Sequence, residues 1–367
     1  FAIVGGSSAA GTGGVLKTAA DVAVTLSAGS MTAADLKTLD GVTSGAIDAS
    51  AVAAITALAG ADFAIVGGSS AAGTAGVLKT GAAVAVTLSA GSMTAANLKT
   101  LDGVTTGLVD ASAVTAITAL AAADFALVGG TSGTDVKTNA NVAVTFSDAI
   151  SAADVATVGG LTGGVVTATV TAGAATALAS ALNTNKSATD VLALTVSAEE
   201  ASAATAAADL ITLNGATSSA ITVSAPTSVS GSVANVKSIY VTNIADFTGL
   251  GNEAITLSDV GSSADTDLIL NATTGAVTTG QLTAETYANF ATGDKINTGL
   301  DFSNSAAAGT LANDTALDYS FDASTDTLTF ETVDGVGAAT TVALVLTGIA
   351  SVSVVAATGV FTLTHDA

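Results

Sequence analysis

Few side chains in this sequence are placed to do chemistry, and the best of them offer oxygen. Asp322, Ser324 and Asp326 alternate within Asp322-Ala323-Ser324-Thr325-Asp326, between two strand-like runs. Carboxylate and hydroxyl oxygens at that spacing in a turn are hard ligands of the kind calcium takes. They are the metal candidates of the chain, and calcium is the one cofactor with a case. An ordinary polar hairpin loop is the competing reading, and the simpler one. Asp40 and Asp48 recur as Asp102 and Asp110, but their third counterparts are Gly159 and Thr167. An ion that held neighbouring units together would not lose both ligands, so turn hydrogen bonding is the better reading of these four.

No catalytic set can be assembled. His365 is the only histidine, it stands third from the end, and a frayed tail is expected there. Without Cys and with one His, neither a Ser-His-Asp nor a Cys-His arrangement exists. Gly11-Thr12-Gly13-Gly14-Val15-Leu16-Lys17-Thr18 approaches a phosphate loop, but Leu16 occupies a position that needs Gly. The near miss returns from Gly73 to Thr80, so turn glycines before a strand explain it better. Glu199-Glu200 reads as a solvated pair at a helix start. The expectation is that this chain is not an enzyme.

The elements that carry these residues are short. Val22, Val24 and Leu26 alternate with Ala23, Thr25 and Ser27, the period of a half-buried strand. Thr32-Ala33-Ala34-Asp35 is close to a capping box, and Gly41 is placed to end the helix in the left-handed conformation. Ala46 to Ala49 predicts a second short strand. Val52, Ile55 and Leu58, three apart, predict a second helical turn capped by Ser50. Phe63-Ala64-Ile65-Val66 predicts a strand that opens the next unit. Further on, Leu317 to Phe321 and Thr327 to Phe330 read as a hairpin, followed by strands at 342–346, 351–355 and 360–363.

Behind these elements stands a repeat. Phe1-Ala2-Ile3-Val4-Gly5-Gly6 returns at Phe63 and, as Phe125-Ala126-Leu127-Val128-Gly129-Gly130, at Phe125. Residues 1–62 and 63–124 differ at 9 positions, so 53 of 62 are identical. The third copy has drifted and lost four residues before Val142. Asp209-Leu210-Ile211-Thr212-Leu213-Asn214-Gly215 echoes Asp35 to Gly41. An active site is needed once, whereas a length, a lattice or a multivalent surface is a reason to copy a whole unit. Helices this short are marginal alone, so stacking of like units is required. A β-solenoid of strand and short-helix coils is the favoured architecture, with separate sandwich domains on a string as the alternative. The predicted divisions are repeat one at 1–62, repeat two at 63–124, a divergent repeat three at 125–186, a degenerate repeat at 187–245, and a β-rich C-terminal domain at 246–367. The change in texture falls near Pro226, the only proline.

Composition narrows the partners. Net charge is -22, yet only 10% of residues are charged, and all 8 basic residues are Lys. A chain with that charge and no Arg is repelled by nucleic-acid phosphates and anionic lipid. No apolar run is long enough for a membrane-spanning helix, and aromatics at 4% are too few for the girdles of a membrane barrel.

The run from Ala34 to Ser50, Ala-Asp-Leu-Lys-Thr-Leu-Asp-Gly-Val-Thr-Ser-Gly-Ala-Ile-Asp-Ala-Ser, and its copy from Ala96 to Ser112, with Asn97 for Asp, resemble the repeats of giant bacterial surface proteins common in marine cyanobacteria. Gly249 to Leu257 is similar to another element of those arrays. Phe290 to Ile296 and Leu346 to Leu363 resemble C-terminal regions of type I secreted, calcium-associated proteins. The resemblance covers about two-thirds of the chain, and no Gly-Gly-x-Gly-x-Asp array accompanies it. It implies export, an extracellular or cell-surface location and calcium dependence. The function expected is structural: a filament, sheath or surface layer built by self-association. The alternatives are an adhesin on a repeat stalk and an ice- or sugar-binding solenoid. The expected partners are further copies of the chain and cell-surface polysaccharide, without nucleic acid or membrane insertion. Phe1 stands where a Met would open a complete chain, and the repeat predicts an Ala-Asp ahead of it, as precedes Phe63 and Phe125.

Overall fold

The computed structural model describes residues 21–66, 78–129, 136–197, 204–224, 228–280, 282, 285–298, 300, 302–305, 317–333, 340–355 and 358–365. Phe1 to Val4, the first phosphate-loop-like run, the start of the second, Glu199-Glu200 and Pro226 lie outside them. The described residues are mainly strand, with fewer helices, distributed over several sheets. The chain forms two compact units, Phe1–Thr169 and Val170–Ala367.

In the first unit the order is β1 Val24–Thr25, β2 Gly29–Thr32, α1 Ala33–Val42, β3 Ile47–Ala49 and β4 Val52–Leu58, then β5 Leu78–Thr80, β6 Ala85–Leu88, β7 Gly91–Thr94, α2 Ala95–Val104, β8 Val109–Ala111 and β9 Val114–Leu120, then β10 Val136–Thr138, β11 Ala143–Phe146, α3 Ala152–Gly159 and β12 Val166–Thr169. Each helix begins where a hydroxyl can accept an orphan N–H. The Thr32 Oγ1 accepts from the Asp35 N–H at 3.0 Å and donates to Asp35 Oδ2 at 2.8 Å. Thr94 and Ser151 cap α2 and α3 the same way through the N–H groups of Asn97 and Asp154. Ala33, Leu36 and Leu39 are buried, as are Ala95, Leu98 and Leu101, and Ala152, Val155 and Val158, so one stripe at three-residue spacing faces inward in all three helices.

Every described strand pair of this unit is parallel, running β1-β3-β5, β2-β4-β6-β8-β10 and β7-β9-β11-β12. Partners are close in sequence, from 22 residues for Val144 and Val166 to 31 for Ile55 and Val86. Two steps from Val24 run through Ile47 to Leu78, eight residues short of Val86, its counterpart in the next copy. Counterpart strands therefore occupy different ladders: β1 joins β3 and β5, whereas β6 lies between β4 and β8.

Three local expectations are corrected. Val52, Ile55 and Leu58 lie in strand β4, not in a helix, although all three are buried. The register jumps by one residue on each side of Ile55, between Val52 and Ala54 and again between Ile55 and Leu58. Each bulge adds a residue and stretches the strand period from two to three, which counterfeits a helical stripe. Ala57 takes φ 56° at the second bulge, and Ala119 repeats this at 53° in β9. Phe63 to Ile65 belong to a 3₁₀ helix, Gly60–Ile65, because the Asp62 and Val66 N–H groups bond to carbonyls three residues back at Ala59 and Phe63. Gly41 sits inside α1, which runs on to Val42 and is stopped by Thr43 in an extended conformation.

The second unit continues with α4 Ala175–Ala181, β13 Val191–Ala193, β14 Thr195–Val196, β15 Thr205–Ala206, α5 Ala207–Asn214, β16 Ile221–Val223, β17 Ser228–Gly231, α6 Val233–Lys237, β18 Phe247–Thr248, β19 Ala254–Leu257, α7 Ser263–Ala272, β20 Val277–Thr279, β21 Thr286–Tyr287 and β22 Lys295–Asn297. Parallel pairing persists along β14-β16-β18 and β15-β17-β19-β20-β22. Beyond β22 come β23 Phe302–Ser305, β24 Leu317–Asp322, β25 Thr327–Val333, β26 Thr340–Leu346, β27 Ile349–Val355 and β28 Val360–His365, where β24-β25-β26 and β27-β28 pair antiparallel while β23 joins β24, and β21 joins β26, in parallel. The hairpin read at 317–330 and the three later strands are where the sequence placed them. His365 is not a frayed end: it closes β28 opposite Ile349, and its N–H donates to Thr292 Oγ1 at 2.9 Å.

Candidate functional site

The calcium candidates lie at the loop between β24 and β25. The Asp322 Oδ1 accepts from the Ser324 N–H at 2.9 Å and from its hydroxyl at 2.7 Å. Those bonds, the hydroxyl's first, hold the Asp322 carboxyl below the usual carboxylate range. Asp326 takes φ 52°, a conformation Asp tolerates. Its Oδ2 accepts from the Gly348 N–H at 2.9 Å, in the turn between β26 and β27. Asp322 and Ser324 are thus brought together, while Asp326 is bonded to a different turn. Among the described residues no group of three or more His, Cys, Asp or Glu side chains is gathered to hold a metal. Because the shift at Asp322 is downward, its contribution to stability is present above the ordinary carboxyl range and is lost as pH falls through that range to the lowered value of the folded protein. Wild type is expected to lose more hairpin amide protection between pH 5 and pH 3 than Asp322→Asn, which keeps an acceptor oxygen and cannot titrate. Hydrogen exchange over residues 317–330 checks this.

Asp48 and Asp110 also serve turns. Each accepts from the N–H two residues on, Ser50 or Ser112, at 3.0 Å. Their carboxyls are held low by those serines, and the Lys79 and Lys137 charges add to the effect. Lys79 and Lys137 are the direct cross-strand neighbours of Asp48 and Asp110 on β5 and β10.

Where the sequence offered no motif, the structure repeats one. In Thr43-Ser44-Gly45 the Thr43 hydroxyl donates to the Val22 carbonyl at 2.6 Å and accepts from the Gly45 N–H at 3.0 Å. Thr105 bridges the Val84 carbonyl and the Gly107 N–H at 2.6 and 3.0 Å, and Thr162 bridges the Val142 carbonyl and the Gly164 N–H at 2.6 and 2.9 Å. Thr217 and Thr273 do the same for Leu192 with Ser219 and for Glu253 with Gly275. Each clip ties the turn after a helix, or after α5 and α7 in the second unit, to a carbonyl 20 to 25 residues earlier. Its only trace in the sequence is a Thr two residues before a Gly or Ser, which is common enough to pass unnoticed. Lysines make comparable ties. Lys37 meets Asp62 at 2.6 Å, Lys99 meets Asp124 at 2.7 Å, and Lys237 pairs with Asp265. Such pairs, with the lysine at the surface even where Asp62 and Asp124 are largely covered, contribute ~0–1 kcal/mol each.

Buried carboxylates, also unforeseen, act as clamps on backbone. Asp294 accepts from the Val277 N–H at 2.7 Å and the Ala291 N–H at 2.8 Å, and burial still pushes its carboxyl above the usual range. Glu253 Oε2 accepts from the Gly251 N–H at 2.8 Å and from the Tyr240 hydroxyl at 3.0 Å. Burial, then the Glu253 charge, raise the Tyr240 phenol far above its ordinary range. Tyr240→Phe leaves a buried carboxylate short of a donor, and a loss of about 1–3 kcal/mol is expected. Chemical denaturation measures it. A Tyr240→Phe protein as stable as wild type would remove the clamp.

Four aromatic residues of strands β23, β24, β25 and β28 form one core cluster. Phe302, Tyr319, Phe330 and Phe361 meet with ring centroids 5.1 to 6.1 Å apart, and Phe302, Phe330 and Phe361 are fully buried. No described helix is long and apolar enough to cross a membrane. The chain matches no family model, no curated protein and no solved structure.

Proposed function

We propose that this chain is a structural protein of the cell exterior, whose work is to stack its own repeats and to assemble into a filament, sheath or surface layer. The parallel ladders are then successive coils of a β-solenoid, and strands β23 to β28 lie within the C-terminal domain at 246–367. The observation that carries the reading is the threonine clip, returning at Thr43, Thr105, Thr162, Thr217 and Thr273. Residue types able to catalyse or to ligate are spent here on joining one pass of the chain to another. The repeats at 1–62 and 63–124 extend the same device at nearly constant sequence. Low charge density lets copies approach closely, and salt screens the net charge of -22 to a range of about 8 Å at physiological ionic strength.

A repeat stalk bearing an adhesive end is the second reading. It is favoured by the change from parallel to antiparallel pairing at β22 and β28, with cell-surface polysaccharide as the expected ligand. A threonine-row binding face is less favoured, since Thr25 is followed along its ladder by Asp48 and Lys79. Negative-stain imaging of untagged protein in salt and calcium tests the assembly reading. Fibres or sheets are expected. Single particles at every concentration, with glycan binding retained, would hand the case to the adhesin.

A further inference from the structure

The first described coil of the chain has a less covered face than its own copy. Val84, Val86, Leu88 and Met93 are 2%, 1%, 2% and 5% exposed. Their counterparts Val22, Val24, Leu26 and Met31, identical in type, are only half-buried. The difference lies in what stands beside them. β6 is sandwiched between β4 and β8, with Val86 opposite Ile55 on one side and Val109 on the other. β1 has the counterpart of β8, which is β3, and no described counterpart of β4. Met93 lies against Gly60, and a Cβ built there would be 3.3 Å from its Sδ. Nothing described fills that place at Met31.

We infer that the face formed by Val22, Val24, Leu26 and Met31 is a docking surface for a strand of the Val52–Leu58 type followed by a turn of the Gly60–Ile65 type, supplied by one more repeat of this same kind. The acceptor residues of the second copy are covered by residues 52–60 of the first, and the two copies share 53 of 62 residues. A surface with the same side chains at the same spacing accepts the same donor. Apolar burial drives the contact, and the edge of β1 away from β3, which has no partner among the described residues, supplies backbone groups to a parallel strand. This deepens the assembly reading and rests on it only for the biological use of the surface.

The test compares the chain with a version lengthened by one added copy of residues 1–62 ahead of Phe1. Amide hydrogen exchange is read at dilution. In the parent, residues 22–32 are expected to exchange at least tenfold faster than residues 84–94. In the lengthened chain the original 22–32 should slow to the rate of 84–94, while the new first coil exchanges fast. Val24→Asp in the parent should leave its melting temperature nearly unchanged, whereas the same change at the covered site of the lengthened chain should lower it. Parent residues 22–32 already as protected as 84–94 at dilution would overturn the inference, and so would added repeats that fail to slow them. Imaging fails or succeeds separately: a chain that gains protection but forms no fibre keeps the docking surface and loses the assembly reading.

Discussion

Gly107→Val is expected to destabilise the first unit by about 3 kcal/mol, the upper end for overpacking. A Cβ built at Gly107 lies 2.5 Å from the Val84 carbonyl oxygen, 2.6 Å from the Ala83 oxygen and 2.6 Å from the Val84 carbon. Those atoms are backbone and cannot rotate aside. The contact also lies within the clip, because Thr105 is bonded to that same Val84 carbonyl. Relieving the clash must therefore lengthen a buried 2.6 Å hydrogen bond. Gly45, Gly164 and Gly275 stand equally close to the carbonyls of Val22, Val142 and Glu253, so the effect should recur at each. Gly103 is the control. It lies inside α2 with nothing within 4 Å of a built Cβ, and Gly103→Ala should stabilise by about 0.5–1 kcal/mol through helix propensity. Equal unfolding midpoints for the two variants would show that close approach does not hold the turn.

That pair of glycines also marks the limit of what the sequence reveals. Gly103 and Gly107 look alike in a sequence, and Gly41 was the more inviting helix stop, yet the closeness to Val84 belongs to Gly107 alone. Tertiary contact between residues about 23 apart decides this, and no local signal carries it. The Thr32 cap and the β24–β25 hairpin were legible because both are made within a few residues. The 62-residue repeat was legible, but not that its counterpart strands slip onto a different ladder, since eight residues of offset emerge only from the pairing. Strand β4 misled for a definite reason: bulges on both sides of Ile55 place Val52, Ile55 and Leu58 at helical spacing in an extended chain. Of the metal candidates, the sequence named the right loop for a hairpin. It could not show that Asp326 reaches away to the Gly348 N–H. The buried roles of Glu253 and Asp294 were hidden because a carboxylate in a polar stretch reads as solvated until its N–H donors are placed around it.

Leu98→Ala should cost about 2–5 kcal/mol, the range for emptying a buried leucine site. Leu98 is 0% exposed, in the inward stripe of α2 with Ala95 and Leu101. Small residues dominate this chain, so each core leucine supplies a large share of the apolar surface its neighbourhood hides. The site is also poorly able to collapse. α2 is held at its start by Thr94, in its middle by the Lys99 to Asp124 pair and beyond its end by Thr105. A helix tied at three points leaves a cavity open, which favours the upper part of the range. Leu36 occupies the same place in α1, and Leu36→Ala should cost less if the first coil is the looser one. Its Lys37–Asp62 and Thr43 ties match those of α2, but β1 has a described partner on one side only, where its counterpart β6 has one on each side. If the parallel ladders are the proposed stack of coils, each touching only its neighbours, the damage should also stay local. Native-state hydrogen exchange on Leu98→Ala should lower protection in α2, β8 and β9 first, and leave α7 and β20 at wild-type rates. Uniform loss of protection across both units would contradict a chain whose coils are held pass by pass.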